Sequence, residues 1–203
     1  MSKLASTRRP IMGRPRAFDM EAVLSRAVPV FREHGYEGAS IDHLKEATGL
    51  TAGSIYKAFK DKKGFFAAAF AHYVENRQQQ LLERRQGLLT GRERIAETLR
   101  FYLESASGPE GRRGCLVLAG LIEATTLESS LHDALTEAVA GNRVALVAML
   151  REGQEDGSIR SDLAVEPCAD VLLGLLQGLR AVGKLHDLAD HDALIAIALK
   201  TLD

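Results

Sequence analysis

The stretch TGLTAGSIYKAF, Thr48 to Phe59, sets two glycines and a run of small residues directly ahead of Ile55, Tyr56 and Phe59. Gly49 suits a sharp turn, and Thr51 is a residue type that caps helix starts, so a short helix is predicted from Ala52 to Ala58. Upstream, Ser40 caps another short helix from Ile41 to Ala47. Leu44, Leu50 and Ile55 are spaced to pack the two helices into a rigid corner joined through Thr48, Gly49 and Leu50. In a helix-turn-helix corner the second helix enters the major groove of DNA. That groove is about 12 Å wide, so small residues at the helix tip permit close approach. Thr51 and Ser54 offer hydroxyls to phosphates or base edges, and Gly53 lets the backbone come near. The helix N-terminus itself favours phosphate. Tyr56 is expected to bury its ring and extend its hydroxyl to a backbone oxygen, with Lys57 on the outer side. A helical hairpin with no DNA role shares this spacing.

The chain outward from the corner reads as all-α, because strict alternation is absent and turn signals recur at helical distances. Asp19 opens a first helix, Phe18 is placed to staple onto Val23, and Val23, Ala27, Val30 and Phe31 form its apolar face. HGYEG ends that helix at Gly35, and Pro29 is expected to bend it. Asp61 caps a long fourth helix that continues past Leu81. Later helices are expected near 91–106, 113–126, 130–154, 166–186 and 191–202, with ASGPEGRRG, REGQEDGSIRSD and HDLADHD as connecting turns. The resulting division is a flexible basic arm at 1–16, a helix-turn-helix domain at 17–63 and a larger helical domain at 64–203.

Charge supports that division. Residues 1–63 hold twelve Lys and Arg against seven Asp and Glu, whereas residues 64–203 hold fourteen against twenty. A basic N-terminal third on an acidic body suits a polyanion met only by the first part. No apolar run is long enough to cross a bilayer and no signal core follows the basic start, which points to a cytoplasmic protein without a membrane partner. Cys115 and Cys168 match no zinc spacing. His186 and His191 in LHDLADHD read as a charged turn, so neither a metal nor any cofactor is expected. With no phosphate-binding glycine loop, zinc-binding histidine pair or nucleophile elbow, the chain is not read as an enzyme.

Residues 14–77 resemble the DNA-binding domain of the TetR family of bacterial transcriptional regulators. The resemblance is carried by Phe31, Gly35, Tyr36, Ser40, Gly49, Tyr56, Phe59 and Lys62. It implies that Thr51, Ala52, Gly53, Ser54 and Lys57 face the groove of a double-stranded operator, and that Ser40, Tyr56 and Lys62 hold phosphates. Lys62 and Lys63 also begin the fourth helix, where exposed amides favour phosphate; a solvated charge pair is the alternative. Arg14 and Arg16 would reach a narrow minor groove, or form a solvated tail. One departure is Lys45, where a small residue is common; its stem is expected along the corner with its ammonium in solvent.

The resemblance further implies that the body dimerises and senses an effector. Leu172, Leu175, Leu176, Leu179 and Val182 read as one apolar stripe, with Gly174 and Gly178 on an adjacent side permitting close helix approach. The last helix, with Leu194, Ile195 and Ile197, needs cover on more than one side. Two such helices from each of two chains would make a homodimer. Effector-pocket walls are expected from Phe66, Phe70, Tyr73, Phe101, Tyr102, Leu116 and Leu121, suiting a modest, mostly apolar effector. Cys115 lies close to Arg112 and Arg113 at the expected start of a helix, a setting that lowers a thiol pKa. It is read either as a sensor of electrophiles or oxidants, resembling family subgroups with a Gly-Cys-Leu helix start, or as a small buried apolar residue. Cys168 reads as packing. The function expected is a repressor released by an effector or by modification of Cys115; a DNA-binding architectural protein without ligand response is the alternative.

Overall fold

The computed structural model describes residues 18–123 and 129–203, and every regular element among them is helical. The head comprises α1 (Met20–Gly38), α2 (Ile41–Thr48) and α3 (Ala52–Phe59), and α4 (Lys62–Arg85) leads into the body. The body continues through α5 (Gly91–Ala106), α6 (Gly108–Arg113), α7 (Leu116–Glu123), α8 (Ser129–Asp156), α9 (Val165–Val182) and α10 (His191–Leu199), ending in a 3₁₀ turn at Lys200–Leu202.

Local side chains start these helices. Asp19 accepts from Glu21 N–H at 3.0 Å, Ser40 from His43 at 3.1 Å, Thr51 from Ser54 at 3.2 Å and Asp61 from Gly64 at 2.7 Å. Each such cap contributes roughly 1 kcal/mol. Ser40 and Thr90 form reciprocal capping boxes with His43 and Glu93. Gly49 closes α2 in the left-handed region (φ 74), as the turn requires. Within α1 the backbone leaves helical geometry at Gly35 (φ 71), not at Pro29, and then resumes to Gly38. The Tyr36 N–H beyond that kink donates to Glu123 of α7 at 3.0 Å, tying the end of α1 to the body.

One helix was not expected. GPEGRR forms α6, although its glycines and proline read as a turn. Pro109 sits in the first turn, where its missing N–H costs nothing. Helix α6 fits tightly: a Cβ on Gly111 would lie 2.0 Å from the Ala106 carbonyl oxygen. The arm at 1–16, with Arg14 and Arg16, lies outside the described residues, as does the expected continuation of α7 over 124–126.

Two apolar cores fill the molecule. The first joins head to body through Phe31, Phe59, Phe65, Phe66, Phe70 and Tyr73 with Cys115 and Leu116. Phe59 stacks on Phe65 at 3.9 Å, and Phe31 meets Phe66 edge-on at 5.1 Å. The second lies among α5, α8, α9 and α10, and includes Leu99, Leu150, Leu172, Leu176 and Ile195. Because α4 reaches from Asp61 at the head through the first core to Leu81 in the second, it spans the whole path between them.

Candidate DNA-reading head and effector core

The corner forms as its spacing predicts. Ile55 and Leu44 are fully buried, Phe59 is nearly so, and Leu50 packs against them half-buried. Once Ile55 and Phe59 take the inward side, one turn apart, the rest of α3 must face out. Thr51, Gly53 and Lys57 are exposed, and Ala52 and Ser54 are partly so. The Thr51 and Ser54 hydroxyls share a hydrogen bond at 3.0 Å, and nothing lies within 4 Å of a Cβ built on Gly53. The tip is therefore small, polar and unobstructed.

Tyr56 departs from expectation. Its side chain is 49% exposed rather than buried by its ring, because it follows Ile55 by one residue, about 100° around the helix. Its side chain is about half open to solvent. Lys62 donates to the Glu37 carbonyl oxygen at 3.2 Å and lies 4.7 Å from the Tyr36 ring centroid, so it braces the end of α1 as well as standing beside the tip. Lys63 is half-buried. Ser40 is exposed but engaged as the cap of α2. Lys45 is half-buried, and its ammonium pairs with Asp42 at 2.7 Å.

In the body the expected pocket wall divides. Tyr73, Tyr102 and Cys115 line a cavity of about 20 Å³ between α4, α5, α8 and α9. Phe66 and Phe70 instead build the head–body core, Leu116 is fully buried without lining the cavity, Phe101 packs beside Tyr102 in the second core, and Leu121 is 39% exposed. The reason is position along α4: all five α4 residues share one face, but Phe66 meets Phe31 and Tyr36 near the head, with Phe70 stacked on it, whereas Tyr73, Arg77 and Leu81 reach the cavity further along the axis. The remaining wall is more polar than the expected apolar site, with Arg77, Gln78, Asn142 and Gln177 beside Val74, Leu81, Val117 and Ala138. Arg77 lies over the Phe101 ring at 4.3 Å and Tyr102 at 5.2 Å, and donates to Ser105 at 3.2 Å.

Cys115 is buried immediately before α7, and its carbonyl accepts from Ala119 N–H at 2.9 Å. The expected influence of Arg112 and Arg113 is not what acts on it. Those side chains are exposed and turn to Asp187 and Glu110. The cations that act on the thiol are Arg180, only 1% exposed and reaching in from α9, and after it Arg77 of α4. Burial pushes the Cys115 pKa up, but Arg180, the Leu118 N–H and the Tyr73 hydroxyl outweigh it and leave it lowered. Tyr73 donates to the Cys115 sulfur at 3.6 Å, and its own pKa is pushed up to about 12, first by burial and then by Cys115. Cys168 is buried as packing, and burial raises its pKa.

Sequence reasoning missed Arg180 and Arg32. Arg180 follows Leu172 and Leu176 at intervals of four, which places it on the buried side of α9; that register was the available signal. Arg32, in α1, is 8% exposed and donates to the Gly114 carbonyl oxygen through Nε at 2.9 Å and Nη2 at 2.7 Å. It also meets the Glu110 carboxylate at 2.8 Å. Arg180 donates to the same Gly114 oxygen at 2.8 Å. The residue before Cys115 is thus held from the head and from α9 at once. Gly114 has φ 81, a conformation suited to glycine.

The expected dimer stripe also divides. Leu172, Leu176 and Ile195 are buried inside the protomer's own core, because α9 lies against α5 and α8 and α10 lies against α5. The outward side carries Val171, Gly174, Gly178, Val182 and Ile197, bordered by half-buried Leu175, Leu179 and Leu194. Nothing lies within 4 Å of a Cβ on Gly174 or Gly178.

A helix-turn-helix head on a helical body defines a class of DNA-binding transcriptional regulators. Residues 23–69 match the family model for bacterial regulatory proteins of the tetR family, and residues 91–199 match the tetracyclin repressor-like C-terminal domain. The chain belongs to the TetR family of transcriptional regulators, and no enzyme is among these matches. It is 33% identical to a cysteine mutant of the regulator CifR complexed with 26 bp double-strand operator DNA, at a TM-score of 0.77 over 93% of this chain and 98% of that one. It is 31% identical to the uncharacterized HTH-type transcriptional regulator YezE of Bacillus subtilis over 55% of this chain and 58% of YezE. With the HTH-type transcriptional repressor ComR of Escherichia coli, identity is 43% over 31% of this chain and 30% of ComR. The chain thus matches little more than half the length of the first of these curated relatives and less than a third of the second. No described helix is long and apolar enough to cross a membrane.

Proposed function

We propose that two copies of this chain form a cytoplasmic homodimer that represses transcription by seating α3 of each copy in successive major grooves of an operator. The observation that carries this reading is the tip of α3: Ile55 and Phe59 are buried while Thr51, Gly53 and Lys57 stand open to a partner. CifR, alike over nearly its whole length, is complexed with operator DNA. Ser40, Tyr56, Lys62 and Lys63 would meet phosphates beside the groove, and Arg14 and Arg16 would reach the minor groove. The exposed glycine-bearing side of α9, with Val182 and Ile197, supplies the dimer contact and sets the distance between reading helices.

Release is assigned to the core around Cys115, either by a small effector or by covalent modification of the thiol. Gly114 joins that core to α1 through Arg32, so a change at Cys115 acts on the head's anchor. An effector shifts operator affinity only by binding the two states differently. The test measures operator affinity before and after treatment with a maleimide, in the wild type and in Cys115→Ser. Loss of affinity in the wild type alone supports release through Cys115. Equal loss in both proteins overturns it.

A further inference from the structure

Resting on the reading of this core as the effector site, we infer that the effector carries a negative charge: a small carboxylate whose acid group sits against Arg180 and Arg77 and whose apolar body lies along Val74, Leu81 and Val117. Arg180 is 1% exposed and stands beside Gly114 and Cys115, one layer behind the cavity wall rather than on it; its Nε and Nη1 have no hydrogen-bond partner, and its one bond is to the Gly114 carbonyl. Arg77, on the cavity wall, likewise leaves Nη2 buried and unpartnered, its one bond being to the Ser105 hydroxyl. Among the described residues neither guanidinium has a carboxylate within ion-pair distance, whereas Arg32, Arg84, Arg94 and Arg143 each do.

A buried guanidinium without a counter-charge is costly, and a charge left in this state is completed by an anion or pays in stability. The core offers few anions of its own. Tyr73 keeps its proton up to about 12, and burial raises the Tyr102 pKa as well. A thiolate at Cys115 would balance one guanidinium and leave the other. A carboxylate accepts from guanidinium nitrogens in the planar geometry they present. The unpartnered Gln177 Oε1 on the same wall is an acceptor, so Gln177 would have to turn its amide nitrogen toward the acid oxygen or bind a bridging water.

The existing cavity of about 20 Å³ has room for roughly one water molecule. Binding an acid must therefore part α4 from α8 and α9, and α4 runs on to the reading head. This gives the ligand a preferred state of the body, as an effector needs.

The experiment uses the full chain with benzoate and hexanoate as probes, and benzamide and hexanamide as neutral counterparts. Thermal unfolding and calorimetric titration read binding; operator affinity is read separately. At a concentration about a hundredfold above Kd, the carboxylate is expected to raise the melting temperature by roughly 5–10 °C. Arg180→Gln and Arg77→Gln should each weaken binding roughly ten- to a hundredfold, with circular dichroism confirming that both fold. The inference is overturned by no saturable binding of either acid, by amides that bind equally, or by Arg180→Gln and Arg77→Gln proteins that bind like the wild type. Binding without operator release would uphold the charged site while refuting release through it. Release by a maleimide with no acid binding would refute the charged site and leave the release reading standing.

Discussion

Arg32 of the reading head and Arg180 of α9 donate to one acceptor, the carbonyl oxygen of Gly114, at 2.7 and 2.8 Å. The two arginines are not equivalent. Arg32 has a carboxylate partner in Glu110, and Arg180 has none among the described residues. Removing Arg32 abolishes paired, largely buried bonds between head and body. Arg32→Ala is expected to cost about 2–3 kcal/mol, seen as a lower melting temperature. Arg180→Gln removes a charge without a counter-charge, so its melting temperature should hold or rise.

The Arg32–Glu110 link also sets an acid limit. Burial raises the Glu110 pKa, but the hydrogen bond and charge of Arg32, helped by Arg113, outweigh it and hold it below the usual range. A lowered folded-state pKa stabilises the fold above the unfolded value and loses that contribution as pH falls through the folded one. Wild type should therefore exceed Glu110→Gln in stability at pH 7, and the gap should close as pH falls below about 4.3. Paired thermal melts across that range check it; a gap that persists at low pH assigns the stabilisation to something other than the carboxylate's charge.

Lys57 is exposed at the outer side of α3. If it neutralises a phosphate, Lys57→Ala should lower the slope of log K against log salt by about one unit. Lys200→Ala, changed at the far end of the body, should leave the slope alone. Operator titrations at several salt concentrations give both slopes.

The two sides of α9 separate folding from assembly. Leu172 is 1% exposed within the protomer, so Leu172→Ala should cost about 2–5 kcal/mol of stability. Gly178 faces open space, and a side chain there meets nothing in its own chain. Gly178→Arg should preserve helix content, yield a monomer by sedimentation and lose operator binding. A dimer of unchanged affinity would remove α9 from the interface.

These contrasts bear on what a single sequence discloses. The caps Asp19, Ser40, Thr51 and Asp61 are local chemistry, and each was legible because a cap is satisfied within three residues of itself. The corner was legible for the same reason: Leu44, Leu50 and Ile55 are near neighbours in sequence. The core around Cys115 was not, since it depends on Gly114 meeting Arg32 and Arg180 across separations of 82 and 66 residues. Arg112 and Arg113 lie beside Cys115 in sequence yet point away, so proximity along the chain suggested the wrong cation. Leu172 and Leu175 looked like one stripe because apolar residues cover most of α9; only its packing against α5 and α8 separates inward from outward.

The most direct test of a dimeric reader built on α3 is selection of bound duplexes from a random DNA pool by the full chain, followed by sequencing. Two-fold symmetric half-sites separated by about one helical turn, or a multiple of it, are expected, and the enrichment should vanish with Gly53→Trp, which fills the tip without touching the core. Enrichment of a single asymmetric site, no enrichment at all, or an unchanged site for Gly53→Trp would contradict reading by paired α3 helices.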